Sequence, residues 1–432
     1  MNPSMASSSA RWIVLMATFG GLLFDGMELG LMPIASISVT RDLLGPNYTE
    51  SLAGIWFVRF TASLMLGAAC GGIWFGALGD RIGRTKALGI SILFYSLFAG
   101  LGALVTNLEQ MLVLRFLVGL GVGGVWPNGV SLVSESWPNV SRPVVSGVVA
   151  AGINVGILML SQIARIWHIT PDSWRWLFAW SAVPALLGIC VVWKLPESPR
   201  WLASRQTAKV QASPVRELFR PPLLRLTLIG IALGSIPMVG AWAASKWMIP
   251  WADTVGGAAQ PGYKAATQGA WAVGAVLGSF LGAPLASWIG RRLAYFLISL
   301  GATVATCSIF VLTAPLQSTF LPLVFVQGFI ATLFFGWLPL YLPELFPTHV
   351  RATGSGIAYN VGRFATAFGV FGAGALVAIF EGDLAKVGAV TGLIYALGMI
   401  VIWWAPDTHG QLSGAGNERV SMAQPNLPAE KA

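Results

Sequence analysis

Twelve apolar runs, separated by short polar gaps, constrain this chain more than anything else in it. A run of roughly 18–20 apolar residues is long enough to cross a bilayer as an α-helix. The predicted spans are 12–37, 52–77, 87–106, 110–134, 143–165, 174–195, 224–250, 265–288, 293–314, 319–342, 353–380 and 386–405. A soluble chain of this length needs far more charge on its surface than the 10% present here, against 55% hydrophobic residues. The expectation is an all-α membrane protein whose main partner is the lipid bilayer.

The chain also repeats itself. ESWPNVSR at 135–142 returns as ELFPTHVR at 344–351, and GALGDRIGRTK at 76–86 as APLASWIGRR at 283–292. PES at 196–198 is echoed by PDT at 406–408. A fixed long offset means two similar halves, and matched halves in a membrane protein point to a transporter with its site between them. The predicted organisation is an N-terminal six-helix bundle (1–195), a basic cytoplasmic linker (196–223), a C-terminal six-helix bundle (224–405) and a disordered cytoplasmic tail (406–432). Of the 26 lysines and arginines, five are counted as span charges; of the other 21, in gaps or at the outermost residues of spans, four belong to one side and 17 to the other. The positive-inside rule then puts both termini in the cytoplasm, with the first span retained rather than cleaved as a signal.

The net charge of +9 sits in the gaps and reports orientation, so nucleic acid is not expected as a partner. Cys70, Cys190 and Cys307 lie in apolar runs without metal-ligand spacing and read as packing residues. His168, His349 and His409 fall at span ends or in loops, and no span holds a metal cluster or a nucleophile–base pair. No cofactor, metal or enzymatic activity is expected. Small residues in GLGVGG (119–124) and GAVLGSFLGA (274–283) predict close helix contacts. Pro33, Pro127, Pro237 and Pro339 suggest bends lining a cavity; for any single Gly or Pro the alternative is ordinary membrane-helix packing.

Charges inside spans are the candidate site. Each costs about 2.5–3.5 kcal/mol near the bilayer centre, so it should face a cavity or a partner. Asp25 and Glu28 in FDGMELG share one helical face and are the expected proton-coupling pair, because two close buried carboxylates resist ionising together. Arg363 is the expected anchor for an anionic substrate, and Arg115 the expected partner of the helix 1 acids. Arg59 is either a further cavity cation or a side chain snorkelling to the interface. Arg175 in SWRW and Lys246 in SKWMIPW, among tryptophans, read as interfacial anchors. Trp126, Asn128, Gln162, Tyr359 and Asn360 are candidate substrate-cavity polars or, equally, helix–helix hydrogen-bonding groups.

These motifs carry a resemblance. GALGDRIGRTK looks like the signature loop of the major facilitator superfamily. Glu135…Arg142, Glu344…Arg351, PESPRWL at 196–202 and PDTHGQL at 406–412 resemble the inner motifs of its sugar-porter and metabolite–proton symporter branches. FDGME is similar to a helix 1 motif of aromatic acid–proton symporters, with Glu28 where that group has a second Asp. PELFPTHVRATGSG followed by YNVGR resembles both that group and the sialate–proton symporters. The resemblance implies the major facilitator fold, twelve helices in two pseudo-symmetric six-helix bundles. It also implies a cytoplasmic gate at Asp80, Arg81, Gly83, Arg84, Glu135, Arg142, Glu197, Arg200, Arg291, Glu344 and Arg351. Surface pairs are worth only ~0–1 kcal/mol each, so gating needs the network; otherwise these residues only mark the inner side. Ser287 and Trp288 replace Asp80 and Arg81 in the second copy, which predicts weaker ion pairing there.

The expected function is proton-coupled symport of a small organic anion (an aromatic acid, sialic acid or other carboxylate) by a monomer in the plasma (inner) membrane. A monoanion with one proton moves no net charge; a second proton adds ~2.3 kcal/mol per 100 mV, roughly 50-fold in accumulation. Proton antiport of drugs or metabolites, a sugar porter lacking the paired glutamines of helix 7, and a non-transporting sensor are the alternatives.

Overall fold

A computed structural model describes residues 8–136, 142–198, 201–202, 215–347 and 350–406. Arg200, His349, His409 and the 407–432 tail lie outside the described residues, as do the side chains of Arg142, Pro339 and Arg351. All regular structure among the described residues is helical, and twelve helices are long and apolar enough to span a membrane. They are α1 (Ala10–Asn47), α2 (Glu50–Ile82), α3 (Arg84–Leu104), α4 (Leu108–Val133), α5 (Gly147–Ile166) and α6 (Arg175–Lys194). The second half holds α7 (Leu223–Gly256), α8 (Tyr263–Ile289), α9 (Arg291–Leu312), α10 (Phe320–Leu338), α11 (Gly354–Ile379) and α12 (Leu384–Trp404). The expected spans fall within a few residues of these, except that α1 and α7 run well past their expected far ends.

The halves pack by the same rules. In each, the first helix lies on the fifth, the second on the fourth and the third on the sixth. Between halves, α2 packs on α11 and α5 on α8, a symmetric exchange. Glycine sets the closest approaches. A Cβ on Gly67 or Gly71 of α2 would lie 2.1 or 2.0 Å from a carbonyl oxygen of α4. One on Gly274 or Gly278 of α8 would lie 2.1 or 2.3 Å from a carbonyl oxygen of α10. Lipid offers no hydrophobic drive between helices, so such backbone contact supplies the packing.

The turn between second and third helices is equally matched. Gly83 has φ 111° and Gly290 φ 90°, the left-handed side that glycine tolerates best. At Gly83 the backbone also runs against the Glu197 carboxylate, leaving no room for a side chain.

Hydrogen bonds join the halves toward the face away from the termini. Lys264 of α8 donates to Ser38 of α1 at 3.1 Å and pairs with Asp253 of α7 at 3.0 Å. Gln268 of α8 donates to Ser161 of α5 at 3.3 Å, and deeper in, Asn154 donates to Ser279 at 2.9 Å. Toward the terminal face, open space lies beside Gly76 of α2 and Gly356 of α11. Among the described residues, side-chain hydrogen bonds between the bundles lie toward the far face and at Arg363, deeper in the membrane span.

Candidate substrate cavity

A cavity of about 130 Å³ lies between the bundles. Its charged lining residues are Asp25 from α1, Lys246 from α7 and Arg363 from α11. Aromatic walls come from Trp126, Trp242, Trp271 and Tyr359, with Asn154 and Thr366 adding polar groups. Trp126 and Tyr359 stack across the two halves, centroids 6.0 Å apart and rings 9° from parallel.

The two helix 1 acids part company. Gly26 between them is where α5 closes on α1, its missing Cβ replaced by the Ile153 carbonyl oxygen. Asp25, 3% exposed, lines the cavity, and its Oδ1 has no hydrogen-bond partner. Glu28 turns to Arg115 of α4, whose Nη1 donates to Glu28 Oε2 at 3.3 Å in an almost fully buried pair. The Arg115 guanidinium also stands over the Phe178 ring at 5.3 Å. The structure thus places Arg115 as a charge partner and not in the cavity wall.

Arg363 reaches across the interface. Its Nη1 donates to the carbonyls of Ala68 at 3.1 Å and Gly123 at 3.3 Å, both in the N-terminal half. Its guanidinium lies 5.5 Å from the Tyr359 ring centroid. Asn360, one turn away, faces Gly72 of α2.

Other sequence candidates lie elsewhere. Asn128 is buried between helices, donating to Phe75 O at 3.0 Å and Gly124 O at 2.8 Å, so it serves packing. Gln162 is exposed on α5 near Gly269. Arg59 is exposed on α2 with its guanidinium 4.6 Å over Trp56, in keeping with snorkelling. Arg175 stacks on Trp174 at 4.3 Å and pairs with Asp42 at 3.4 Å near the far face.

Lys246 overturns its sequence reading. It is 1% exposed, lines the cavity and lies over Trp271 at 3.4 Å, rather than anchoring at an interface. Its tryptophan neighbours turn inward because α7 is broken. Pro237 is followed by a π-helical turn at Gly240–Ala244 and a tight turn at Ser245–Trp247. A proline followed closely by glycine was the available signal; the change of helical phase after it was not legible.

At the terminal face the described gate residues pair within their own halves. Arg84 contacts Asp80 at 2.5 Å and Glu135 at 3.8 Å. Both Glu197 oxygens accept from the Thr85 backbone N–H at 3.2 Å. Arg81 is exposed. In the second half Arg291 holds Glu344 through Nη2 at 3.2 Å and Nε at 3.3 Å, with side chains 5% and 11% exposed. With no counterpart of Asp80, Arg291 has Glu344 as its carboxylate partner, and its Nη1 donates instead to the Ala286 carbonyl at 2.9 Å.

Comparison with known proteins gives the same picture. The family model for the Major Facilitator Superfamily matches residues 14–370. The chain is 31% identical over 419 residues to a probable 4-methylmuconolactone transporter of Cupriavidus pinatubonensis, covering 96% of this chain and 94% of that one. It is 31% identical over 371 residues to the cis,cis-muconate transport protein of Acinetobacter baylyi, covering 83% and 86%. Among solved structures, a partially occluded inward open form of the xylose transporter XylE from E. coli superposes with TM-score 0.72 at 22% identity, covering 93% of this chain and 99% of that one. Twelve spans, matched bundles and a cavity between them have their explanation in this kinship: the chain is a multi-pass inner-membrane transporter and belongs to the major facilitator superfamily.

Proposed function

We propose that the protein is a symporter that carries a small organic carboxylate together with protons, by rocking of the two bundles about the central cavity. One observation carries this reading: Asp25 of the first half and Arg363 of the second line the same cavity. An arginine fork suits a carboxylate, while a buried carboxyl group without hydrogen-bond partners is suited to hold and release a proton. Arg363 is tied to Ala68 and Gly123 carbonyls, so exchanging those bonds for a substrate carboxylate couples binding to the relation between the halves. The carboxylate chemistry agrees with the muconate named for one relative. The terminal face, with its Arg84 and Arg291 pairs, is the cytoplasmic side in this scheme, and the Lys264–Ser38 contact closes the periplasmic side.

Binding tests the anchor. A ligand at 100 times its dissociation constant stabilises a fold by about 2.7 kcal/mol. Purified protein screened against organic anions, cis,cis-muconate among them, should show a raised melting temperature for at least one. Arg363→Ala should fold yet lose that shift. A shift of wild-type size in Arg363→Ala refutes the anchor.

A further inference from the structure

Arg363 as anion anchor leaves a second cation in the cavity with nothing to bind. We infer that Lys246 is the second anion anchor and that the carried molecule is a dicarboxylate with a flat, unsaturated skeleton. This rests on the symport reading above and narrows its substrate class.

Lys246 Nζ is buried and has no hydrogen-bond partner. Its contacts are the indole faces of Trp271 at 3.4 Å and Trp242 at 5.6 Å. Ring faces attract an ammonium but accept none of its three N–H donors as a carboxylate would. An unpaired charge at this depth is costly, and such residues persist in membranes where they serve a ligand or an ion path.

The position is also built. Trp271 Nε1 donates to Gln327 Oε1 at 2.8 Å, and Gln327 Nε2 donates in turn to Ser245 Oγ at 2.5 Å. Ser245 Oγ lies 3.1 Å from the Tyr395 hydroxyl, and Gly240 packs on the Tyr395 ring with no room for a side chain. One chain of bonds thus fixes both the turn that carries Lys246 and the indole on which it rests. π-Helical turns of this kind often mark functional sites.

Charge and shape complete the argument. When Asp25 binds its coupled proton, the two basic groups of the lining, Arg363 and Lys246, have no carboxylate among the lining residues to balance them. A dicarboxylate balances both, whereas a monocarboxylate leaves one charge bare in a low-dielectric cavity. Arg363 of α11 and Lys246 of α7 reach the one cavity from two different helices of the same half. The Trp126–Tyr359 pair stands near the first cation and Trp271 beneath the second, walls suited to a planar skeleton.

The test compares cis,cis-muconate with sorbate, a six-carbon diene carrying one carboxylate, by isothermal titration of the full-length protein. A charge-assisted hydrogen bond predicts that the wild type prefers muconate by about 10–100-fold. Lys246→Gln should bring the ratio near one, and Lys246→Arg should restore most of it. Equal binding of the two anions by the wild type overturns the second anchor, as does a preserved ratio in Lys246→Gln. If Lys246→Gln does not fold, the wild-type ratio alone decides. A wild type that binds no organic anion at all overturns the symport reading, and this inference with it.

Discussion

Replacing Asp25 with asparagine is expected to bring the accumulation ratio of the carried anion to one, while exchange across the membrane continues. Asparagine preserves the shape of the side chain and removes its proton. Asp25 lies in the cavity wall on the N-terminal side, with Oδ1 unpartnered, whereas Glu28 is already committed to Arg115. The pair deduced from FDGME is therefore split: one acid faces the cavity and the other holds a buried arginine. Each coupled proton contributes about tenfold accumulation per unit of pH gradient. Proteoliposomes with an imposed pH gradient and labelled cis,cis-muconate measure this directly. The wild type should concentrate the anion, and Asp25→Asn should stop at equilibration with counterflow retained. Accumulation at the wild-type level in the variant removes Asp25 from the proton path.

The second large effect is expected at the far face. Lys264 joins Asp253 of its own half to Ser38 of the other, with the Lys264 side chain 4% and Asp253 12% exposed. Removing one partner of a buried pair costs about 3–5 kcal/mol, because the remaining charge is uncompensated. Asp253 belongs to the last turns of α7, which pack on α1, so parting the halves there returns it to water. Lys264→Met should consequently favour a conformation open at the far face. Even 3 kcal/mol is more than a hundredfold in population. Spin labels on cysteines at Glu109, exposed in the first turn of α4, and Ser318, exposed in the loop before α10, report this as a longer distance once the native cysteines are replaced. An unchanged distance distribution would mean that Lys264 does not latch this face.

The fold was legible because its signals survive without helical phase. Run length gave the spans, and the 207–210 residue offsets gave the two halves. Glycine spacing marked α4 and α8 for close contact, while their partners, α2 and α10, emerged only in the structure. Asp25, Glu28, Arg115 and Arg363 stood out because lipid does not tolerate unpartnered charge. What the sequence withheld is which way each helix faces. A soluble helix shows its buried side as an apolar stripe, but in lipid both sides are apolar and rotation leaves little trace. Arg59 and Gln162 therefore looked as eligible as Trp126 and Tyr359, although the first two face outward. Asn128 was indistinguishable from a cavity amide until its bonds to Phe75 and Gly124 were seen. Lys246 was misread for a sharper reason: SKWMIPW has the composition of an aromatic belt, and only the broken geometry of α7 turns it to the centre. Lys264 falls just before the expected 265–288 span, where it counts only among the four cations of the minority side, and its bond to Ser38 joins residues 226 apart in sequence.

Coupling itself is tested most directly by recording both fluxes at once. Proteoliposomes carrying a pH-sensitive dye, with voltage clamped and no initial pH gradient, receive a carboxylate that raises the melting temperature of the protein. If a substrate carboxylate and the Asp25 proton travel through one cavity, inward flow of the anion acidifies the lumen in fixed proportion, and Asp25→Asn uncouples the two. Entry of the anion into wild-type vesicles with no movement of protons contradicts the account.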